Sequence, residues 1–184
     1  MREVSLGQDG DFSRKALIQR TNSDLANAYG NLVQRVLSFI YKNADATLSG
    51  LEGLLPKDQE LIPHAQNLYG DVQKDMETYQ VHKVLESIWQ VIMAANKYVD
   101  EQAPWSLRKT DTVRMNQVLA VLVDVIRRVT IFAQPFVPEA ASKILDTLNI
   151  DNNNRNFKDL DSILPAGHKI QEPQGAFPRI AEEA

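Results

Sequence analysis

Seven apolar residues, Val81, Val84, Leu85, Ile88, Ile92, Ala95 and Val99, recur at spacings of three and four. A stripe with that period faces one way only when the backbone advances about 100° per residue. The segment is therefore an amphipathic helix, and its apolar side needs partners to bury it. The rest of the chain supplies them in the same currency. Leu25, Tyr29, Leu32, Val36, Phe39 and Ile40 form a stripe inside a helical run from Ser13 to Lys42, with a bend expected at the cap-like residues Asn22, Ser23 and Asp24. Met115, Leu119, Leu122, Ile126, Val129 and Ala133 form another between Asp111 and Phe132, with Arg127 and Arg128 placed off its buried side.

Proline and glycine set the boundaries. Gly50, Gly53 and Pro56 mark residues 43–56 as a direction-changing loop. Pro63 suits a helical first turn, so a second helix is expected from there to about Thr78. Pro104 ends the third helix, and Pro138 opens a fifth that continues through Ile144 and Leu148. With no strand pattern in competition, the fold class is all-α, a bundle of about five helices. The organisation expected is a connector over residues 1–12, entering a helix at Asp11 or Ser13, a bundle over 13–150, and an irregular tail over 151–184. In that tail Leu164, Ile170, Phe177 and Ile180 lie back on the helices.

Composition removes whole classes of function. A chain of 184 residues with 43% apolar content can close its own core. There is no cysteine, so disulfides, thiolate metal sites and cysteine nucleophiles are out. The start, Met1-Arg2-Glu3-Val4-Ser5, lacks the apolar stretch of a secretion signal, and no segment is long and apolar enough to span a bilayer. His64, His82 and His168 match no metal spacing, and no glycine-rich loop cradles phosphate. No catalytic site is visible. A net charge of −4 means that any nucleic-acid contact depends on a local patch.

Two clusters exceed what a plain bundle needs. Asn31 and Arg35 lie one helical turn apart, roughly 120° and 80° from the middle of their helix's apolar stripe. Together they can read a base edge; alternatively, Arg35 pairs with a nearby acid and Asn31 is a polar boundary residue. Asn96 and Asp100 are likewise one turn apart, on the side of the third helix that bears Trp89 and leads to Pro104 and Trp105. Proline gives the indole a defined take-off at a helix end, where it forms a stacking platform for an unpaired base or folds back to plug the bundle. Trp89 is assigned to packing.

At these residues the sequence resembles the anticodon-binding domain of methionyl-tRNA synthetases, a class I family. The resemblance runs through Asp9-Gly10-Asp11-Phe12-Ser13, Asn22-Ser23-Asp24-Leu25-Ala26-Asn27, Gly30-Asn31-Leu32, the stretch from Asn96 to Trp105, Gln134-Pro135-Phe136-Val137-Pro138, Leu164 to Ile170 and Phe177-Pro178-Arg179-Ile180. The Pro-Phe-x-Pro turn is shared with isoleucyl, valyl and leucyl enzymes; the run Asp100 to Trp105 with Asn31 and Arg35 narrows it to the methionyl type. Tyr29 stands where the family usually has leucine. The resemblance implies that Trp105 stacks on the first base of a CAU anticodon while Asn31 and Arg35 hydrogen-bond the anticodon. Asn96, Asp100 and Pro104 complete the pocket. It implies methionine tRNA, both initiator and elongator, as partner, together with a catalytic half of the same polypeptide that uses ATP with magnesium. Neither signature of that half, HIGH or KMSKS, is present here, so the chain itself is expected to hold no cofactor or metal. A cytoplasmic location follows, with no membrane and no DNA partner. The competing reading is a helical protein-interaction module, with the face bearing Trp89 and Met93 receiving a partner helix.

Overall fold

A computed structural model describes residue 10 and residues 13–181. The connector expected over residues 1–12 falls outside the described residues, apart from Gly10. The elements in order are α1 (Arg14–Arg20), a π-helical segment (Thr21–Gly30), α2 (Asn31–Asn43), α3 (Pro56–Glu77), α4 (Val81–Gln102), a short α5 (Pro104–Leu107), α6 (Thr112–Ala133) and α7 (Pro138–Thr147). Two 3₁₀ turns follow at Asn152–Asn154 and Phe157–Asp159. Among the described residues there is no strand, only an isolated bridge between Thr47 and Lys169. The all-helical bundle with a returning tail is the architecture the sequence calls for.

α6 is the hub, packed on α2, α3, α4, α5 and α7. Every residue from Val118 to Ala133 is buried. A helix enclosed on all sides cannot keep a polar face in water. Arg127 and Arg128, expected off the buried side, are therefore inside, and the structure corrects that placement. Both are held by Asp124, at 3.0 Å and 2.8 Å, three and four residues back on the same helix. Arg127 also donates to the carbonyls of Asp159, Leu160 and Ser162, tying the tail to the hub.

Two boundaries differ from the sequence reading. α3 starts at Pro56, and Pro63 sits inside it. Pro56 occupies the first turn and the Asp58 carboxylate accepts from the Leu55 N–H at 2.8 Å, so the earlier proline initiates the helix and the later one is tolerated. Asp58 is also fully buried, with Arg114 donating to both of its oxygens at 2.6 Å and 2.7 Å and the Tyr98 hydroxyl donating at 2.5 Å. Burial pushes this carboxyl up, but Arg114, Tyr98 and the Leu55 N–H together outweigh it and hold the group below its usual range.

Asn22, Ser23 and Asp24, where a bend is expected, do not interrupt the helix. The chain stays helical from Ser13, whose Oγ caps Ala16, through a stretch of π geometry. The Asn31 N–H accordingly reaches back five residues to the Ala26 carbonyl. The tail pins this stretch. The Asn22 amide donates to the Ile180 carbonyl and accepts its N–H, both at 2.9 Å, and Arg179 donates to Asn27. Phe177 lies on the Tyr29 ring, centroids 5.3 Å apart, and against Gly30, where a Cβ would stand 3.2 Å from the phenyl. Of the tail residues expected to pack, Ile170 is buried and Leu164 and Phe177 are half-buried, whereas the Ile180 side chain is exposed and only its backbone is held.

Candidate functional site

The site forms where α2 crosses the C-terminal end of α4. α4 cannot continue past Gln102 because Pro104 follows, and the chain turns through Ala103 in the left-handed region, φ 41°. Pro104 is buried as the first residue of α5. A new helical turn thus begins where the sequence suggested only a stop, and it holds Trp105 outward with 41% of its surface exposed. The indole does not plug the bundle end. Trp89 is the buried tryptophan, within α4 and edge-on to Tyr29 at 6.4 Å and 75°. The burial of Trp89 removes it from the face expected to receive a partner helix, leaving Met93 exposed there.

Arg35 connects the two helices. Its Nη1 donates to Asp100 Oδ1 at 2.9 Å and its Nη2 to Asn96 Oδ1 at 3.3 Å, while its Cζ lies over the Trp105 ring, 5.7 Å from the centroid. The two alternatives for Arg35 meet here, since the acid it pairs with belongs to the cluster. Asn96 is itself fixed, its amide donating to the carbonyls of Ala28 at 3.1 Å and Ile92 at 3.0 Å. Through Ala28 the π-helical segment sets the position of the acceptor that orients Arg35. Sequence reasoning missed this link, because a backbone carbonyl carries no residue-type signal.

The Arg35 donors can be counted. A guanidinium has five N–H bonds; one points to Asp100, one to Asn96, and Nε is buried without a partner. Two remain for something arriving from solvent. Asn31 is exposed one turn away, and among the described residues its side chain makes no hydrogen bond. The buried set of α2 is Leu32, Val33, Val36, Leu37 and Ile40, so Asn31 points more squarely to solvent than a single 3.6-residue period from Leu25 gave. The wider π turn between Leu25 and Gly30 shifts the phase. All of the expected cluster residues except Asn31 are joined by contact or sequence adjacency, and Asn31 shares the outer side of α2 with Arg35.

Among the described residues no group of histidine, aspartate or glutamate side chains is arranged to hold a metal ion, and no helix is long and apolar enough to cross a membrane. The cluster offers an aromatic face, free guanidinium and amide donors and one carboxylate: a surface for stacking and hydrogen bonding.

The chain is similar to known proteins over nearly its whole length. Residues 52–184 match the family described as the anticodon binding domain of methionyl tRNA ligase, and residues 1–37 match class I tRNA synthetases of the methionyl group. A methionine–tRNA ligase of Brucella suis biovar 1 is 43% identical over 99% of this chain and 36% of its own length. That of Rhizobium meliloti is 40% identical over 100% of this chain and 36% of its own. The chain thus spans about a third of the length of the curated relatives it matches. The crystal structure of the apo form of Mycobacterium tuberculosis methionyl-tRNA synthetase superposes with TM-score 0.95 at 38% identity, covering 99% of this chain and 38% of that one. The same enzyme bound by methionyl-adenylate gives 0.92, covering 96% and 36%.

Proposed function

Because the chain belongs to the methionyl-tRNA ligase family, as its anticodon-binding domain, we propose that it recognises the CAU anticodon of methionine tRNA at the patch formed by Asn31, Arg35, Asn96, Asp100, Pro104 and Trp105. The observation that carries this reading is the half-exposed Trp105 indole with a partly unengaged guanidinium on its ring. Cytosine, the first anticodon base, stacks on the open part of the indole. Stacking contributes roughly 1 to 3 kcal/mol per base and tolerates any base, so it anchors without discriminating. Discrimination comes from Asn31 and the two spare Arg35 donors, which address base edges and reject a base that leaves them unmatched. Asn96 and Asp100 hold the Arg35 fork in a fixed plane, and Pro104 fixes the starting point of the indole.

In the longer protein that the relatives represent, the remaining two-thirds activates methionine with ATP and magnesium, and this part selects methionine tRNA, initiator and elongator, in the cytoplasm. The test is fluorescence anisotropy of the isolated chain with two stem-loops, one carrying CAU and one changed at the first base, at a stated low salt concentration. Tighter binding of the CAU loop is expected; equal binding by a folded sample removes base reading.

A further inference from the structure

Beyond the six residues of the reading patch, the solvent side of α2 carries an ordered row. Asn31, Arg35, Ser38 and Lys42 follow at spacings of four, three and four, which puts them within about 60° of one another around the helix axis. They extend over roughly 17 Å of its length. Lys42 is exposed and makes no ion pair among the described residues. α5 runs beside this row. Its Trp105 meets Arg35 near one end, and Arg108, just past its last turn, donates to the Asn43 side chain at the C-terminus of α2. Arg108 is exposed and bonded to a neutral amide instead of a carboxylate, so its charge is not neutralised there. The acid nearest Arg108 in sequence, Asp111, caps α6 by accepting the Arg114 N–H. Asp45, three residues past Lys42, makes no ion pair with it among the described residues, and Asp100 and Glu101 are engaged with Arg35 and Lys97.

We propose that Lys42 and Arg108 form a phosphate-binding extension of the reading patch, holding the backbone of the RNA strand whose bases lie on Trp105. The proposal rests on the anticodon reading above and adds a division of labour to it. A chain of net charge −4 has no general attraction for RNA, so its affinity depends on where its few uncompensated cations sit. Trp105, Asn31 and Arg35 address bases, while Lys42 and Arg108 carry no sequence information and set the register of the strand along α2. Two cations at one end of a polar row, with an aromatic platform towards the other, suit a single strand that is unstacked at one point and phosphate-anchored a few nucleotides away.

The experiment compares the full chain with Lys42→Ala, Arg108→Ala and the double variant, each titrated with the CAU and first-base-changed stem-loops from low to moderate salt. Lys42→Glu is included because it leaves the Arg108–Asn43 bond untouched and keeps the test valid if loss of Arg108 unfolds the chain. A Lys74→Ala/Lys83→Ala pair, exposed on α3 and at the far end of α4, serves as control. The double variant is expected to bind both loops roughly ten- to thirtyfold more weakly near 0.1 M salt, and its slope of log K against log salt is expected to fall by about 1.4, two contacts at about 0.7 each. The CAU preference stays unchanged. An unchanged slope in a double variant or Lys42→Glu that still prefers CAU overturns the phosphate extension and leaves base reading standing. An equal loss in the control pair overturns it too, because the attraction is then diffuse. If the native chain binds both loops alike but the slope falls as expected, base reading fails and the phosphate contacts hold; if it binds neither loop, both fail.

Discussion

The guanidinium of Arg35 lies over the indole of Trp105, 5.7 Å from the ring centroid, although the two residues come from helices separated by two other elements of the chain. Neither could be placed so by its own helix alone. Arg35 is steered by Asp100 and Asn96 from α4, and Trp105 by the left-handed turn at Ala103 and the buried ring of Pro104. The contact is thus a readout of how α2 and α4 cross.

Trp105→Ala is expected to weaken binding of a CAU stem-loop by about five- to a hundredfold, the range of one lost stacking contact. Since the indole is substantially exposed, the melting temperature should hardly move. Trp105→Phe should recover part of the affinity. Anisotropy titration beside thermal melting checks both arms, and a large fall in melting temperature for Trp105→Ala would mean that the residue packs instead of stacking.

Asp100→Ala separates orientation from attraction. The exposed Asp100–Arg35 pair contributes at most about 1 kcal/mol to stability. Its removal frees an Arg35 donor and raises the local positive charge. RNA loops of any sequence should then bind a few times more tightly while the preference for CAU shrinks, because Arg35 keeps only the longer 3.3 Å contact to Asn96. A variant with undiminished preference would show that Asp100 does not orient the fork.

The five main helices and their apolar sides were legible because each repeats its signal over several turns, as Val81 to Val99 does. What was not legible is carried by enclosure, by single caps and by backbone geometry, none of which repeats along the sequence. Nothing local distinguishes Arg127 and Arg128 from exposed basic residues until α6 is known to be enclosed on every side and Asp124 to lie within reach of both. Pro63 resembles Pro56, and only the Asp58 cap shows which one starts α3. The six cluster residues came from spacing and family resemblance; their mutual fixing by the Ala28 carbonyl, and the phase of α2, depend on a π segment that no apolar period announces.

Asp58 ties stability to acidity. Its folded carboxyl is held below the usual range, so its contribution is fully present above the unfolded value, about 3.9, and is lost as pH falls through the folded one. Denaturant unfolding followed from pH 7 down to about 3 should show a loss of stability at the acid end that is smaller in Asp58→Asn. At pH 7 that variant should be less stable by about 3 to 5 kcal/mol, because Arg114 is left buried without its carboxylate. An acid limb of equal size in both proteins would assign it to other carboxylates.

Gly30 is where the tail and the reading patch meet. A Cβ there would stand 3.1 Å from the Leu25 carbonyl and 3.2 Å from Phe177. The phenyl can shift, but the carbonyl belongs to the helix and cannot move without disturbing the π geometry that places Ala28 and Asn31. Gly30→Ala should therefore cost about 1 to 3 kcal/mol of stability. It should also weaken CAU binding, even though residue 30 contributes no side chain to the RNA surface. Phe177→Ala relieves only the flexible half of the clash, so combining it with Gly30→Ala should restore part of the stability and little of the binding. Full recovery of binding in the double variant would locate the effect in the tail and free the π segment from any part in positioning Asn31.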